Sequence, residues 1–263
     1  MDAPSLTSAP PVIEMKDVVV GSLQDAEQIV LEGVNWSVAA GDYWVIAGMH
    51  GSGKSDLISM TGGLMPPLHG DYRLFGHPMP IYGEELLPER LRLGLVFESG
   101  QLLHQLSIKE NIALPLRYQR NLPWQEVEDR VTAMLELTEL SPYANAMPGA
   151  LGRNWQKRAG LARALMLEPE VLLLDHPLGG LDLRDASWWL NFLDQLATGQ
   201  GFSRGRRVTL VVTAEDLRPW RDLACSFAIL KKQRFIVLGH RPKFKDHEEP
   251  LVKELLAEEL PRG

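Results

Sequence analysis

Cysteine is almost absent from this 263-residue chain, and the single Cys225 excludes an internal disulfide. Long apolar runs are missing too. None approaches the roughly 20 residues needed to span a bilayer, which argues against an integral-membrane chain. There is no surplus of positive charge: 27 Lys and Arg stand against 34 Asp and Glu, for a net charge of −7. A broadly cationic surface built to neutralise nucleic-acid phosphates is therefore not expected, and no nucleic-acid partner is assigned. The opening MDAPSLTSAPP lacks the basic and apolar regions of a secretory signal, so a reducing cytoplasm is the expected compartment. No internal repeat is found. What is present suits a soluble globular protein, with 45% apolar and 7% aromatic residues and a mean hydropathy of −0.11. The length allows a substantial core.

Residues 1–11 are rich in Pro, Ser and Ala and read as a flexible leader, with order expected from about Val12. The segments IEMKDVVV, IVLEGVNWSV and YWVIAG are short, rich in β-formers and separated by Gly, Asp and Ala turns, as successive strands of one sheet are. A helix is expected from Lys54 toward Thr61, where Gly62, Gly63, Pro66 and Pro67 break it. From about Gln101 to Leu140 the pattern is mainly helical, with Val127, Val131, Met134, Leu135 and Leu137 at spacings of three and four. Strand character returns in VLLLD and VTLVVT, near-continuous apolar runs that suit parallel strands covered on both faces. In the charged tail from Arg241 to Gly263, Leu251, Val252, Leu255 and Leu256 share one helical face, which is expected to pack on the chain's own domain.

The strongest chemical signal is GMHGSGKS, Gly48 to Ser55, directly after the apolar strand YWVIA and before a helix. Gly48, Gly51 and Gly53, with Ser52 between the last two, let the backbone wrap closely round a phosphate. The following helix N-terminus aims N–H groups at it, Lys54 reaches the outer phosphates, and Ser55 can ligate Mg²⁺. His50, at the loop tip, reads as a solvent-facing spacer. A second signal is VLLLD, whose Asp175 ends a buried strand where a Mg²⁺-holding carboxylate belongs; PLGGLD follows at once.

In that order, GMHGSGKS, LGLVFESGQLLHQLSIKENIALPL, LGRNWQKRAGLARALMLEPEVLLLDHP, GGLD and VTLVVTAEDL match successive blocks of one family, and the chain resembles the nucleotide-binding subunit of ABC transporters from IEMKDVVV to about Gly239. Within that family, FESGQLLHQLSIKENIALPLRY is most similar to the ATPases of MCE/Mla-type phospholipid transport systems. The resemblance implies an α/β P-loop NTPase fold: an ABC-type nucleotide-binding domain over residues 12–240, an inserted helical subdomain over about 98–160, and a helical tail over 241–263. It implies ATP and Mg²⁺ as ligands, with Gly48, Gly51, Ser52, Gly53, Lys54, Ser55 and Asp56 on the nucleotide and Ser55 and Asp175 on the metal. It also implies two partners, an integral-membrane permease and a second nucleotide-binding subunit packed head to tail in a homo- or heterodimer. Its implied place is the cytoplasmic face of the inner membrane.

The chain departs from the family at several positions. The Q-loop glutamine aligns with Glu98, which can still approach Mg²⁺ but cannot donate a hydrogen bond unless protonated. The glutamate after Walker B, base or water-positioner in the family, aligns with His176; an imidazole can accept a proton near neutral pH. The switch histidine aligns with Ala214. The signature Leu-Ser-Gly-Gly is here Leu151, Gly152, Arg153 and Asn154, with Arg153 able to supply a charge-assisted contact. Asp56 replaces a hydroxyl residue and puts a carboxylate near the α-phosphate, which should weaken binding. The aromatic expected to stack on adenine is missing from VVVGSLQ. Two readings follow, a conventional ATPase with tolerated substitutions or a pseudo-ATPase serving regulation or scaffolding. A missing general base alone slows such chemistry about 10²- to 10⁴-fold. A third reading, an ABC-type protein without a permease, is disfavoured by the single nucleotide-binding domain and by the lack of a coiled-coil insertion.

The remaining notable residues read as structural. Trp188 and Trp189 share a helix with Leu190, Phe192 and Leu193 and are expected to pack, and Cys225 in LACSFAIL reads as a small buried hydrophobe. His104 and Gln105 stand where the family meets its permease, so docking and plain surface are both open.

Overall fold

All six residues of YWVIAG are buried, and they form β3 (Tyr43–Gly48). The computed structural model describes residues 10–25, 28–79, 84–119, 122–201, 205–241 and 250–256. The expected leader lies almost wholly outside them. The other strands are β1 (Ile13–Gly21), β2 (Ile29–Val38), β4 (His69–Leu74), β5 (His77–Pro78), β6 (Leu93–Val96), β7 (Val171–Leu174), β8 (Thr209–Ala214), β9 (Ser226–Lys231) and β10 (Arg234–His240). Among the described residues they join into a ten-stranded sheet of order β5-β4-β1-β2-β10-β9-β3-β8-β7-β6.

One end of the sheet is antiparallel, β1 pairing with both β2 and β4. At the other, β9, β3, β8, β7 and β6 run parallel, so their C-terminal ends share one edge, the edge at which open α/β sheets bind ligands. Strand periodicity divides β3 between two cores. Tyr43, Val45 and Ala47 join the cluster that includes Trp189, Leu193 and Trp220, whereas Trp44 and Ile46 face the one built on Trp36, Leu57 and Tyr72.

The helices are α1 (Lys54–Thr61), α2 (Leu87–Arg90), α3 (Ile108–Gln119), α4 (Trp124–Leu137), α5 (Arg153–Leu165), α6 (Leu183–Thr198) and α7 (Pro250–Leu256). α4 buries Val127, Val131, Met134 and Leu135 as their spacing predicts, with Leu137 half-buried. α6 starts at Asp182, whose carboxylate accepts from the Asp185 N–H at 2.9 Å, and ends at Gly199 with φ 78°. Such a cap contributes about 1 kcal/mol. Trp188 and Trp189 pack as expected: Trp189 is fully buried, and Trp188 stacks on Phe192 with ring centroids 4.9 Å apart. In α7, Leu251, Val252 and Leu255 enter the larger core, and the Leu217 N–H donates to the Leu255 carbonyl.

Two expectations require correction. The helical stretch does not begin at Gln101. Residues 101–107 form an open loop whose backbone is satisfied by a side chain: the buried Asn111 accepts from the Leu103 N–H and donates to the carbonyls of Leu103, Leu106 and Ser107. α3 then starts on a capping box in which Ser107 and Glu110 bond reciprocally. Cys225 is exposed, not buried. It precedes β9, between the fully buried Ala224 and Ser226, and alternation turns it outward while its N–H donates to the Tyr43 carbonyl.

Candidate functional site

β3 ends at Gly48, and the loop to α1 turns through Gly51 and Gly53 with φ of 73° and 92°, values that L side chains rarely adopt. Gly53 is the N-cap of α1 and offers no side chain to its first turn, so those N–H groups stand free for an anion. A Cβ on Gly53 would lie 2.2 Å from a Val30 methyl, and one on Gly48 would meet Ser52 Oγ at 2.4 Å. Ser52 Oγ is itself buried without a partner, an orphan acceptor-donor inside the cradle. Lys54 is buried and donates to the carbonyls of Gly48 at 2.7 Å and Met49 at 2.8 Å. Burial pushes its ammonium below the usual range, with Glu215, Asp175 and Glu98 pulling the other way. The cradle, the orphaned hydroxyl and the buried cation fit a polyphosphate.

Asp175, directly after β7, is buried and accepts from Thr213 Oγ1 at 2.7 Å; the same hydroxyl accepts from the His176 N–H at 2.9 Å. One β8 side chain therefore sets two adjacent site residues. His176 has φ 46°, outside the region comfortable for a β-carbon, and Gly179 makes room for its ring: a Cβ there would lie 2.6 Å from Nδ1. Across the gap, Glu98 Oε1 stands 3.6 Å from His176 Nδ1. Ser55, Ser59, Glu98, Arg153, Lys157 and Asp175 line one cleft of about 550 Å³. Ser55 and Asp175 thus share the wall where a hydroxyl, a carboxylate and phosphate oxygens would hold Mg²⁺.

α5 fastens the loops that carry Glu98 and His176. Lys157 is 2% exposed and its ammonium donates to the carbonyls of His176, Pro177 and Gly179. The Glu98 loop crosses α5 at Gly160, where a Cβ would meet Gly100 Cα at 2.9 Å, and Arg163 donates to the carbonyls of Gly100 and Gln101. Asn154 turns inward, its Oδ1 accepting from Trp189 Nε1 at 3.0 Å, while Arg153 remains exposed at the cleft. Arg158 lies between two indoles, 3.7 Å from the Trp188 centroid and 4.7 Å from that of Trp155.

A second cleft of about 490 Å³ includes Leu23, Ile29, Val30, Gly51, Ser52 and Asp56. Where an aromatic was expected it carries Leu23, Ile29 and Val30 beside Gln24, Gln28, Lys232 and Gln233, with Leu23 51% exposed. Asp56 accepts from the Leu23 N–H at 2.8 Å, which ties the chain after β1 to the first turn of α1. Ala214 is buried at the end of β8 and brings no hydrogen-bonding side chain, but the next residue, Glu215, reaches Lys54 at 3.6 Å. His50 is fully exposed, yet its Nδ1 also lies 3.6 Å from Glu215.

Sequence reasoning missed Thr213, Lys157 and Glu215. Thr213 was legible from alternation, since in a two-sided strand a hydroxyl next to Ala214 must face the opposite way. Lys157 carried the weaker signal of one turn's spacing from Arg153, on the helix face toward the cleft.

A family model described as ABC transporter matches residues 31–179. The chain is 28% identical over 246 residues to the intermembrane phospholipid transport system ATP-binding protein MlaF of Escherichia coli K12, covering 93% of this chain and 88% of that protein. It is 39% identical over 241 residues to the methionine import ATP-binding protein MetN of Brucella abortus, but spans only 60% of that protein's length. Among solved structures, the dimeric ATP-binding cassette MJ0796 bound to ADP and Pi superposes with a TM-score of 0.74 at 28% identity, covering 84% of this chain and 95% of that one. cbiO1 from Clostridium perfringens gives the same TM-score at 22% identity and covers 94% of this chain and 95% of that one, a likeness of fold.

Proposed function

The chain belongs to the ABC transporter family, and on that premise we propose that it is the ATP-binding subunit of a phospholipid transporter that binds ATP strongly enough to assemble but hydrolyses it slowly. The nucleotide and Mg²⁺ are held by Gly48, Gly51, Ser52, Gly53, Lys54, Ser55, Asp56 and Asp175. His176 serves as proton acceptor for water, with Glu98 orienting its ring. The observation that carries this reading is the cleft shared by Ser55, Asp175 and Glu98, with His176 Nδ1 3.6 Å from the Glu98 carboxylate.

Lipid as the cargo class rests on the phospholipid-transport relative, which the chain matches over 88% of its length, against 60% for the methionine-import relative. The exposed Leu103, His104 and Gln105, on the loop pinned by Asn111, form the surface offered to the permease. A second nucleotide-binding subunit completes each site head to tail. Attachment at the cytoplasmic face of the inner membrane runs through the permease. Among the described residues no helix is long and apolar enough to cross a membrane. Ala214 and Asn154 favour a second reading, a non-hydrolysing scaffold, because neither presents a donor toward a γ-phosphate.

Two measurements test the proposal. Titration with Mg-ATP should show binding weakened at least about tenfold by Lys54→Ala, the loss of a charged hydrogen-bond donor; equal binding would refute the phosphate-loop assignment. Phospholipid should copurify with the native membrane assembly, whereas methionine uptake that depends on the chain would refute the lipid assignment.

A further inference from the structure

Lys54 is already surrounded by oxygen. Besides the carbonyls of Gly48 and Met49, its ammonium faces Glu215 Oε1 at 3.6 Å, so each of its three protons has an acceptor nearby. Glu215 comes from the turn just after β8, and the same Oε1 stands 3.6 Å from Nδ1 of His50. One carboxylate thus spans the buried cation and the tip of the phosphate loop. The site's other three carboxylates are turned elsewhere, Asp175 to Thr213, Glu98 toward His176 and Asp56 to the Leu23 N–H. A polyphosphate carries the same sign of charge as Glu215 and needs the same lysine.

We propose that Glu215 is an internal counter-ion of the phosphate loop, which an incoming polyphosphate must displace and which therefore sets the loop's affinity for nucleotides. The proposal rests on the phosphate-loop reading of residues 48–55 and adds a determinant from outside them. The Glu215 side chain is 40% exposed, so it has an open route by which to swing away, whereas that of Lys54 is 8% exposed and held at its post. Glu215 is also foremost among the carboxylates that hold the Lys54 ammonium up against burial.

The test is a calorimetric titration of wild type, Glu215→Gln, Glu215→Ala and Lys54→Ala with Mg-ADP, with pyrophosphate and with adenosine, each protein first checked by thermal melting. Both Glu215 variants should bind Mg-ADP and pyrophosphate about two- to fivefold more tightly than wild type, the range of a partly exposed ion pair. Adenosine, which has no phosphate, should bind all four proteins alike. Raising the salt concentration should shrink the difference. Wild-type binding of Mg-ADP that is lost in Lys54→Ala but not tightened in either Glu215 variant overturns this proposal while leaving the phosphate-loop reading intact. Failure of wild type and both Glu215 variants to bind any phosphate compound overturns both.

Discussion

Glu98 Oε1 lies 3.6 Å from His176 Nδ1, so a carboxylate from the loop after β6 faces an imidazole from the loop after β7. The pair is held by its surroundings: Thr213 anchors the His176 backbone, Gly179 leaves space for the ring, and Lys157 fastens the carbonyls between them.

Restoring the family's residues should therefore raise turnover. His176→Glu combined with Ala214→His is expected to speed phosphate release by about 10²-fold or more, the scale of one general base, with smaller gains from either change alone. Single-turnover kinetics at saturating nucleotide measure this. A double variant that folds and binds ATP but turns over no faster places the deficit in Asn154 or Asp56.

Asn154→Ala is expected to destabilise the fold by about 1–3 kcal/mol, because Trp189 Nε1 is fully buried and would lose its acceptor. Thermal denaturation checks it, and in the Trp189→Phe background the same substitution should cost much less.

Gly100→Ala should disrupt the site through its support. Gly100 has φ 74°, and a Cβ would lie 2.3 Å from the Gln156 carbonyl oxygen, a backbone atom that cannot swing aside. A loss of about 1–3 kcal/mol is expected, together with weaker Mg-ATP binding as Glu98 shifts. An unchanged melting temperature would contradict the packing described.

At the far edge of the sheet, hydrogen bonds from Arg92 hold the Glu170 carboxyl below the usual carboxylate range. Its contribution is thus present above the ordinary value of about 4.5 and fades as pH falls through the lower folded value. Both side chains are over a third exposed, so Glu170→Gln should cost at most about 1 kcal/mol at pH 7. Stability curves of the two proteins should converge in acid.

The phosphate loop was legible because its parts are contiguous: the apolar run of β3, glycines with positive φ and the helix after Lys54 lie within twenty residues of sequence. Asp175 was legible from the apolar run before it. What could not be read were partnerships between distant residues. Nothing in the sequence pairs Asn154 with Trp189 or Glu215 with Lys54, and the acceptors of Lys157 are backbone carbonyls, which carry no sequence signal. Short or half-exposed strands were hidden too: β6 has four residues, and β10 buries Leu238 but leaves Val237 45% exposed, so neither shows a clean period. Cys225 misled because LACSFAIL is apolar apart from Ser226, and only the start of β9 at Ser226 decides which way each side chain turns.

The slow hydrolysis proposed for this chain is decided by phosphate release from the purified membrane assembly in which it is the sole nucleotide-binding subunit. Mg-ATP binding should be weakened at least about tenfold by Lys54→Ala, and release should be about 10²-fold or more slower than in the same assembly carrying His176→Glu and Ala214→His. Robust release from the wild-type assembly, lost in Lys54→Ala and not improved by the double change, would contradict it.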